Sequence, residues 1–193
     1  MPRAGAERRG SILIRKASRA EPGNNMTEIV LIHGAWQGGW VWADIVPQLT
    51  EAGHNCHAVD LPGSAPDLAN RATVTFRDQV AFLEDLIAEI NKPVVVVAHS
   101  GGGLAASQIA ENLPDRIASI VYVAGIMVLD GTRFADVVES CKAEEPSAVG
   151  IWPYLEHLEG VSAVPEAAAV EIFFMTESPP PLPVPPLPVP PRC

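Results

Sequence analysis

Apolar residues occur along this chain in two distinct patterns. Short continuous apolar runs at Glu28–His33, Val94–Val97 and Ile117–Ala124 are typical of strands that are buried on both faces. In contrast, Val74–Ile90 repeats its apolar residues every three or four positions and places acidic residues on the other side, which predicts an amphipathic helix. Strands that alternate with helices predict an α/β fold, a parallel sheet with helices on both faces.

Two further elements fit this alternating order. Trp40–Ala52 has apolar residues at helical spacing and predicts a helix, which Pro47 is expected to shorten or kink. Asn55–Val59 predicts the next strand. His54 and His57 flank it with a spacing seen in some metal sites, but residues three apart on a strand point to opposite faces. We therefore interpret both histidines as structural.

The most distinctive turn of the chain follows the run Val94–Val97. Ser100 stands there with Ala98 two residues before it and Gly102 two residues after it, and helix-favouring residues follow. A serine on a sharp turn from strand to helix has strained backbone angles, and only very small residues fit beside it. The spacing A-x-S-x-G is that of a nucleophile elbow, with Ala at the first position in place of the usual Gly.

A second motif follows the first strand, where Ile29–Trp40 ends a buried run in His-Gly and a loop of small residues. With both motifs present, the chain resembles the α/β-hydrolase superfamily, in the branch of small esterases that includes methyl-salicylate esterase-like proteins and hydroxynitrile lyases. The resemblance covers Glu28 to about Phe174. It implies that His33 is a structural residue of the loop, although a histidine beside a serine motif is also a candidate base.

The resemblance implies a role for each residue of the two motifs. Ser100 would be the nucleophile and would carry the acyl group. The backbone N–H groups of Ala35 and Gly101 would form the oxyanion hole, which stabilises the negative charge that develops on an ester carbonyl. Trp36 and Trp152 would line the pocket for a small, largely apolar ester. No metal and no organic cofactor is implied.

The pattern also divides the chain into four regions. We predict a disordered basic extension at residues 1–25 and a partial α/β-hydrolase core at 26–128. Residues 129–176, where prolines and glycines separate short helical segments, are expected to form a helical cap over the site. Residues 177–193 repeat the sequence P-L-P-V-P, and because proline lacks the N–H group that a sheet requires, they predict a polyproline II tail.

This tail stands where the resembled family would continue with two more strands, which deliver the acid and the base of the catalytic triad. The expected fold is therefore partial, with its last two strands missing, and the strand Ile117–Ala124 becomes an apolar sheet edge. Asp130 and His157 are a weak substitute for the missing acid and base. Since attack by serine requires an imidazole, we predict weak or no activity and interpret the chain as truncated, by a frameshift or otherwise.

Charge and cysteine content restrict the partners and the compartment. The net charge is −10, and residues 26–178 hold 21 acidic but only six basic residues, which excludes nucleic acid as a partner. No apolar run reaches the length of about 20 residues that a membrane span needs. Three widely spaced cysteines indicate a reducing compartment, and we predict a cytoplasmic protein. A transit peptide at the Arg-rich beginning is the alternative. The oligomeric state is left open.

Two other functions compete with ester hydrolysis. Cyanohydrin cleavage uses the same fold, but the relatives with that activity carry Thr where this chain has Gly34. An interaction protein is the alternative from a different class, in which the proline-rich tail docks into an aromatic groove through a P-x-x-P motif such as Pro185–Pro188.

Overall fold

The centre of the molecule is a four-stranded sheet. The computed structural model describes residues 26–64, 72–144, 151–158, 161–165 and 168–169. Its strands β1 to β4 run over Glu28–Ile32, Asn55–Ala58, Val94–His99 and Ile117–Val123. All pairs are parallel, and the strand order is β2-β1-β3-β4. The predicted parallel sheet is confirmed.

Each face of β1 contributes to a separate apolar core. Val30 and Ile32 belong to a large cluster formed with helices α2 (Phe76–Ile90) and α3 (Gly102–Asn112). The intervening residues of β1 point the other way and pack with Trp42, and residues of helix α1 (Ile45–Glu51) pack against that cluster. Helices therefore cover both faces of the sheet, as the apolar runs predict.

Helix α2 has well-defined ends. It begins two residues later than predicted, because the Thr75 hydroxyl accepts a hydrogen bond from the Asp78 amide at 3.3 Å and the Asp78 carboxylate accepts one from the Thr75 amide at 2.7 Å. This capping box satisfies donors that have no partner within the helix. Asn91 ends the helix in the left-handed conformation, with φ 52°. The buried face consists of Val80, Leu83 and Ile87.

The single helix predicted over Trp40–Ala52 is wrong in one respect. Gly39–Trp42 forms a short 3₁₀ helix, and α1 begins only at Ile45. Pro47 lies in the first turn of α1, where backbone N–H groups have no intrahelical partner. Pro47 is therefore accommodated in this helix without breaking it.

The region after the sheet is more varied than a set of helical segments. Helix α4 (Phe134–Glu144) and a 3₁₀ helix at Trp152–Tyr154 agree with the prediction. The prediction is wrong for the next segment, where β5 (Glu156–Leu158) and β6 (Val161–Ala163) pair as an antiparallel hairpin.

Strand β4 is the last strand of the sheet among the described residues. Within the described ranges it pairs only with β3, and the side chains of Val121 and Val123 are 47% and 41% exposed. The expected apolar edge is thus present. The predicted extension at 1–25 and the predicted tail at 177–193 lie outside the described residues. Among the helices that are described, none is both long enough and apolar enough to cross a membrane.

A cluster of polar side chains lies at the amino ends of the strands. The carboxylate of Glu28, which is buried, accepts hydrogen bonds from His57 Nε2 at 2.9 Å, Asn55 Nδ2 at 3.0 Å and Lys92 Nζ at 2.9 Å. These bonds, that of His57 above all, lower the pKa of Glu28 to about 2. His57 is engaged with this carboxylate, which agrees with our structural interpretation of that histidine. Nδ1 of His54 is buried and has no hydrogen-bond partner within the described ranges.

Candidate active site

Ser100 occupies a tight turn directly after β3. Its φ of 48° is unusual for a residue with a side chain and indicates local strain. Three backbone hydrogen bonds hold the turn: the Ser100 amide donates to Val123 O at 3.2 Å, and the Ser100 carbonyl accepts from the amides of Gly103 at 3.0 Å and Ile126 at 2.9 Å. The chain thus positions this serine between β4 and the beginning of α3.

The residues beside the turn have no room for larger side chains. A Cβ atom on Gly102 would lie 2.6 Å from the carbonyl oxygen of His33, and one on Gly103 would lie 2.6 Å from that of Ile126. Ala98, on the other flank, is fully buried. The flanks are small, as predicted, but the crowding at Gly102 arises from the end of β1.

The loop after β1 is fixed by His33. This side chain is 3% exposed, and its Nε2 accepts a hydrogen bond from the Leu61 amide at 3.1 Å. The proton is therefore on Nδ1, which donates to the Gly34 carbonyl at 2.7 Å. Burial lowers the pKa of His33, which favours the neutral imidazole. The predicted structural role of His33 agrees with these contacts.

The loop after β1 and the turn at Ser100 approach each other closely. A Cβ atom built on Gly101 would lie 3.6 Å from the amide nitrogen of Ala35. Within the described residues, no hydrogen-bond acceptor is recorded for the Ala35 or Gly101 amide. Gly101 also immediately precedes α3, where the partial positive charge of a helix N-terminus favours a negative group. Two adjacent amides thus remain available to an anion or an oxyanion.

These groups open into a cavity of about 950 Å³. Ser100, Ala35, Gly101 and Trp36 line it, as the two motifs predict, together with side chains that the motifs did not indicate. The additional lining includes Gln37, Phe76, Gln79, His99, Phe134 and Ile151. Over the whole lining, apolar side chains outnumber polar ones, so the cavity suits a largely apolar ligand.

Trp36 joins the loop after β1 to strand β6. Its indole Nε1 donates a hydrogen bond to Ser162 Oγ of β6 at 3.0 Å, and its φ of 60° is a second positive value near the site. The other predicted pocket residue, Trp152, belongs to the 3₁₀ helix, but its side chain lies outside the described part of the structure. Its neighbour Ile151 lines the cavity.

The Ser100 hydroxyl has no imidazole as a hydrogen-bond partner among the described residues. All five histidines of the chain lie within the described residues, and none forms a recorded hydrogen bond with Ser100. His157 lies on β5, and neither it nor Asp130 lines the cavity. The substitute triad therefore has no support in the geometry. Metal chemistry also lacks a ligand set, because no three His, Cys, Asp or Glu side chains converge within the described ranges.

Comparison with known proteins places these motifs in a family. The sequence model of the alpha/beta hydrolase family matches residues 29–191. Methylesterase 7 of Arabidopsis thaliana is 38% identical over 109 residues, which are 54% of this chain and 42% of that protein. The pyrethroid hydrolase of Sphingobium wenxiniae is 31% identical over 107 residues, which are 55% and 38% of the two chains.

A solved structure gives the same result. The crystal structure of polyneuridine aldehyde esterase superposes with a TM-score of 0.59 at 27% identity, covering 66% of this chain and 51% of that one. The chain thus spans about half the length of the relatives it matches.

Proposed function

The chain belongs to the alpha/beta hydrolase family, and we propose that its site is that of a serine carboxylesterase. Ser100 attacks the carbonyl carbon of an ester, the alcohol leaves, and the acyl group stays on the Ser100 oxygen until water removes it. The amides of Ala35 and Gly101 donate to the carbonyl oxygen as it becomes an alkoxide. Removing one such donor typically lowers the rate by about 10²- to 10³-fold.

One observation carries this proposal. A serine with a strained φ of 48° lies on the wall of an apolar cavity, beside two adjacent amides for which no acceptor is recorded in the described part of the chain. Strain of this kind persists only where the surrounding structure imposes it, and it is concentrated at functional sites. The three hydrogen bonds around Ser100 supply that restraint.

The substrate class follows from the lining of the cavity. Trp36, Phe76, Phe134 and Ile151 offer apolar contacts, and the described lining contains no lysine or arginine to bind a charged substrate. A small, neutral, largely apolar ester fits this lining. The names of the relatives, which include a methylesterase and a pyrethroid hydrolase, are consistent with an ester substrate.

The absence of an imidazole partner limits the expected rate. Without a base, the Ser100 hydroxyl loses its proton slowly and the acyl intermediate is hydrolysed slowly. Enzymes that lose members of the triad retain about 10³- to 10⁴-fold acceleration over water from binding and the oxyanion hole. We therefore expect weak turnover by this chain.

The competing functions have less support. This chain has Gly34 where the relatives that cleave cyanohydrins carry threonine, which argues against that activity. The proline-rich tail lies outside the described residues, and no observation favours a docking function. The cytoplasmic location, which was inferred from the cysteines, stays a prediction.

Release of p-nitrophenol from a short-chain p-nitrophenyl ester tests the proposal. The chain should release it faster than the Ser100→Ala variant, because the reaction requires the hydroxyl. Ser119→Ala is the matched control, since Ser119 is an exposed serine of β4 outside the cavity. We expect this control to equal the unmodified chain. Equal rates for the chain and Ser100→Ala would contradict the proposal.

A further inference from the structure

A single side-chain oxygen joins the loop after β1 to the turn that carries Ser100. Gln37 Oε1 accepts a hydrogen bond from the Gly34 amide at 3.1 Å. The same oxygen lies 3.0 Å from Nδ1 of His99. Both contacts are partly buried, where an unpaired polar group is costly.

The backbone donor fixes the orientation of this side chain. An amide N–H can only donate, so the atom of Gln37 that faces Gly34 must be its oxygen. His99 Nδ1 therefore carries a proton and donates it to the same oxygen, and Nε2 is the bare nitrogen of the neutral ring. Burial lowers the pKa of His99, which favours that neutral form.

The two donors are the immediate neighbours of the reactive groups. Gly34 precedes Ala35 in the chain, and His99 precedes Ser100. The elements also meet closely in space, because a Cβ atom on Gly34 would lie 3.0 Å from each of Gln37 Oε1, His99 Nδ1 and Ser100 Cβ. A shift of the loop relative to the elbow would therefore break at least one of the two hydrogen bonds.

We propose that Gln37 is a positioning residue, whose oxygen holds the loop bearing the Ala35 amide in register with the elbow bearing Ser100. This inference rests on the proposed function. Without the oxygen, the Gly34 amide and the His99 ring each lose a partner, and the distance between the oxyanion donor and the nucleophile is no longer fixed. Because a displacement of about 1 Å can lower a rate by about 10²-fold, we expect a loss of about 10-fold or more.

Gln37→Met is the decisive variant, since it keeps the length of the side chain but removes the acceptor. Gln108→Met is the matched control, because that carboxamide is exposed on α3 and donates only to Asn112 among the recorded contacts. Three experiments compare the variants: kinetics of p-nitrophenyl ester cleavage, which give kcat and KM; hydrogen exchange of the Gly34 amide; and ¹⁵N shifts, which report which nitrogen of His99 carries the proton. Thermal unfolding shows whether each variant folds.

We expect Gln37→Met to fold and to cleave the ester with a kcat about 10-fold lower and a KM little changed. Its Gly34 amide should exchange hydrogen faster, and the His99 proton should no longer be confined to Nδ1. Gln37→Glu, which retains an acceptor oxygen, should restore slow exchange and the Nδ1 proton. Unchanged exchange and ¹⁵N shifts in Gln37→Met would overturn the inference, as would an unchanged kcat. If the chain cleaves no faster than Ser100→Ala, the proposed function fails, and exchange and ¹⁵N shifts alone decide whether Gln37 joins the two elements.

Discussion

Two groups of polar atoms, one near each end of the parallel sheet, differ in whether they are hydrogen-bonded. At the amino ends, the buried carboxylate of Glu28 accepts three hydrogen bonds from neighbouring side chains. At the carboxyl ends, the Ser100 hydroxyl and the amides of Ala35 and Gly101 have no recorded partner within the described residues. Polar groups that only stabilise a fold are normally paired, so the unpaired hydroxyl and amides beside the cavity are the groups that our proposal assigns to a ligand.

Residues with strained backbone angles also lie mainly near one end of the sheet. Trp36, Ser100 and Ala124 have φ values of 60°, 48° and 45°, and each follows the carboxyl end of a strand. Asn91, with φ 52°, precedes β3 and ends α2, where asparagine tolerates the left-handed conformation. Among the described residues, strain in residue types that tolerate it poorly therefore lies at the end of the sheet that carries the cavity.

The largest expected effect tests the crowding at the carboxyl end. Gly102→Ala would place Cβ 2.6 Å from a backbone oxygen, which no rotamer change can relieve, so we expect a loss of about 3 kcal/mol in unfolding free energy. Gly101→Ala is the control, since its nearest contact would be 3.6 Å and its φ is −57°. It should change stability by less than about 0.5 kcal/mol. Denaturant unfolding measures both, and equal losses would refute the crowding argument.

The second effect tests the paired carboxylate at the amino end. Glu28→Gln should lower stability near pH 7 by about 1–3 kcal/mol, the range for hydrogen bonds to charged groups. Because the pKa of Glu28 is lowered from 4.5 to about 2, its stabilisation is fully present above about pH 4.5 and disappears as the pH falls through about 2. The difference in stability between the unmodified chain and Glu28→Gln should therefore decrease as the pH falls from about 4.5 to about 2.

Thermal unfolding from pH 7 down to pH 2 measures this difference. Glu89, an exposed glutamate on α2, provides the control, because Glu89→Gln should have little effect on stability at any pH. If the difference in stability between the unmodified chain and Glu28→Gln stays constant from pH 7 to pH 2, the carboxylate does not act through its charge.

A smaller effect tests the strain at the elbow. Ser100→Gly should stabilise the protein by about 0.5–1 kcal/mol, because glycine adopts a φ of 48° without the clash of Cβ, although it also gains freedom in the unfolded state. Ser100→Ala removes the same hydroxyl but retains the clash. Differential scanning calorimetry of the two variants isolates the strain, and a glycine variant no more stable than the alanine variant would argue against it.

The smallest effect concerns the outermost partner of Glu28. The side chain of Lys92 is 58% exposed, so water screens its ion pair. Lys92→Met should therefore lower stability by less than about 1 kcal/mol, clearly less than Glu28→Gln. Chemical denaturation at pH 7 compares the two, and an equal loss would mean that the lysine contributes most of the stabilisation.

The elements that the sequence predicted well are those with a strong apolar pattern. Strands β1 and β3 are continuous apolar runs with a core on each face, and α2 has a regular buried stripe. The hairpin of β5 and β6 was missed because each strand has only three residues, too few to show a periodicity.

The candidate site, too, could be predicted from the sequence only where its residues lie within a local motif. Ser100, Ala35 and Gly101 could be named because each lies inside a local motif, and all three line the cavity. The hydrogen bond from His99 to Gln37 joins residues 62 positions apart. A contact of this kind depends on how β1 and β3 pair, so no local pattern reveals it.

Mass spectrometry of the chain after exposure to p-nitrophenyl acetate tests the central claim most directly. If Ser100 is the nucleophile and no base assists the second step, one acetyl group should persist on the peptide that contains Ser100 and should be missing in Ser100→Ala. An acetyl group found only on other residues, to the same extent in both proteins, would contradict the account.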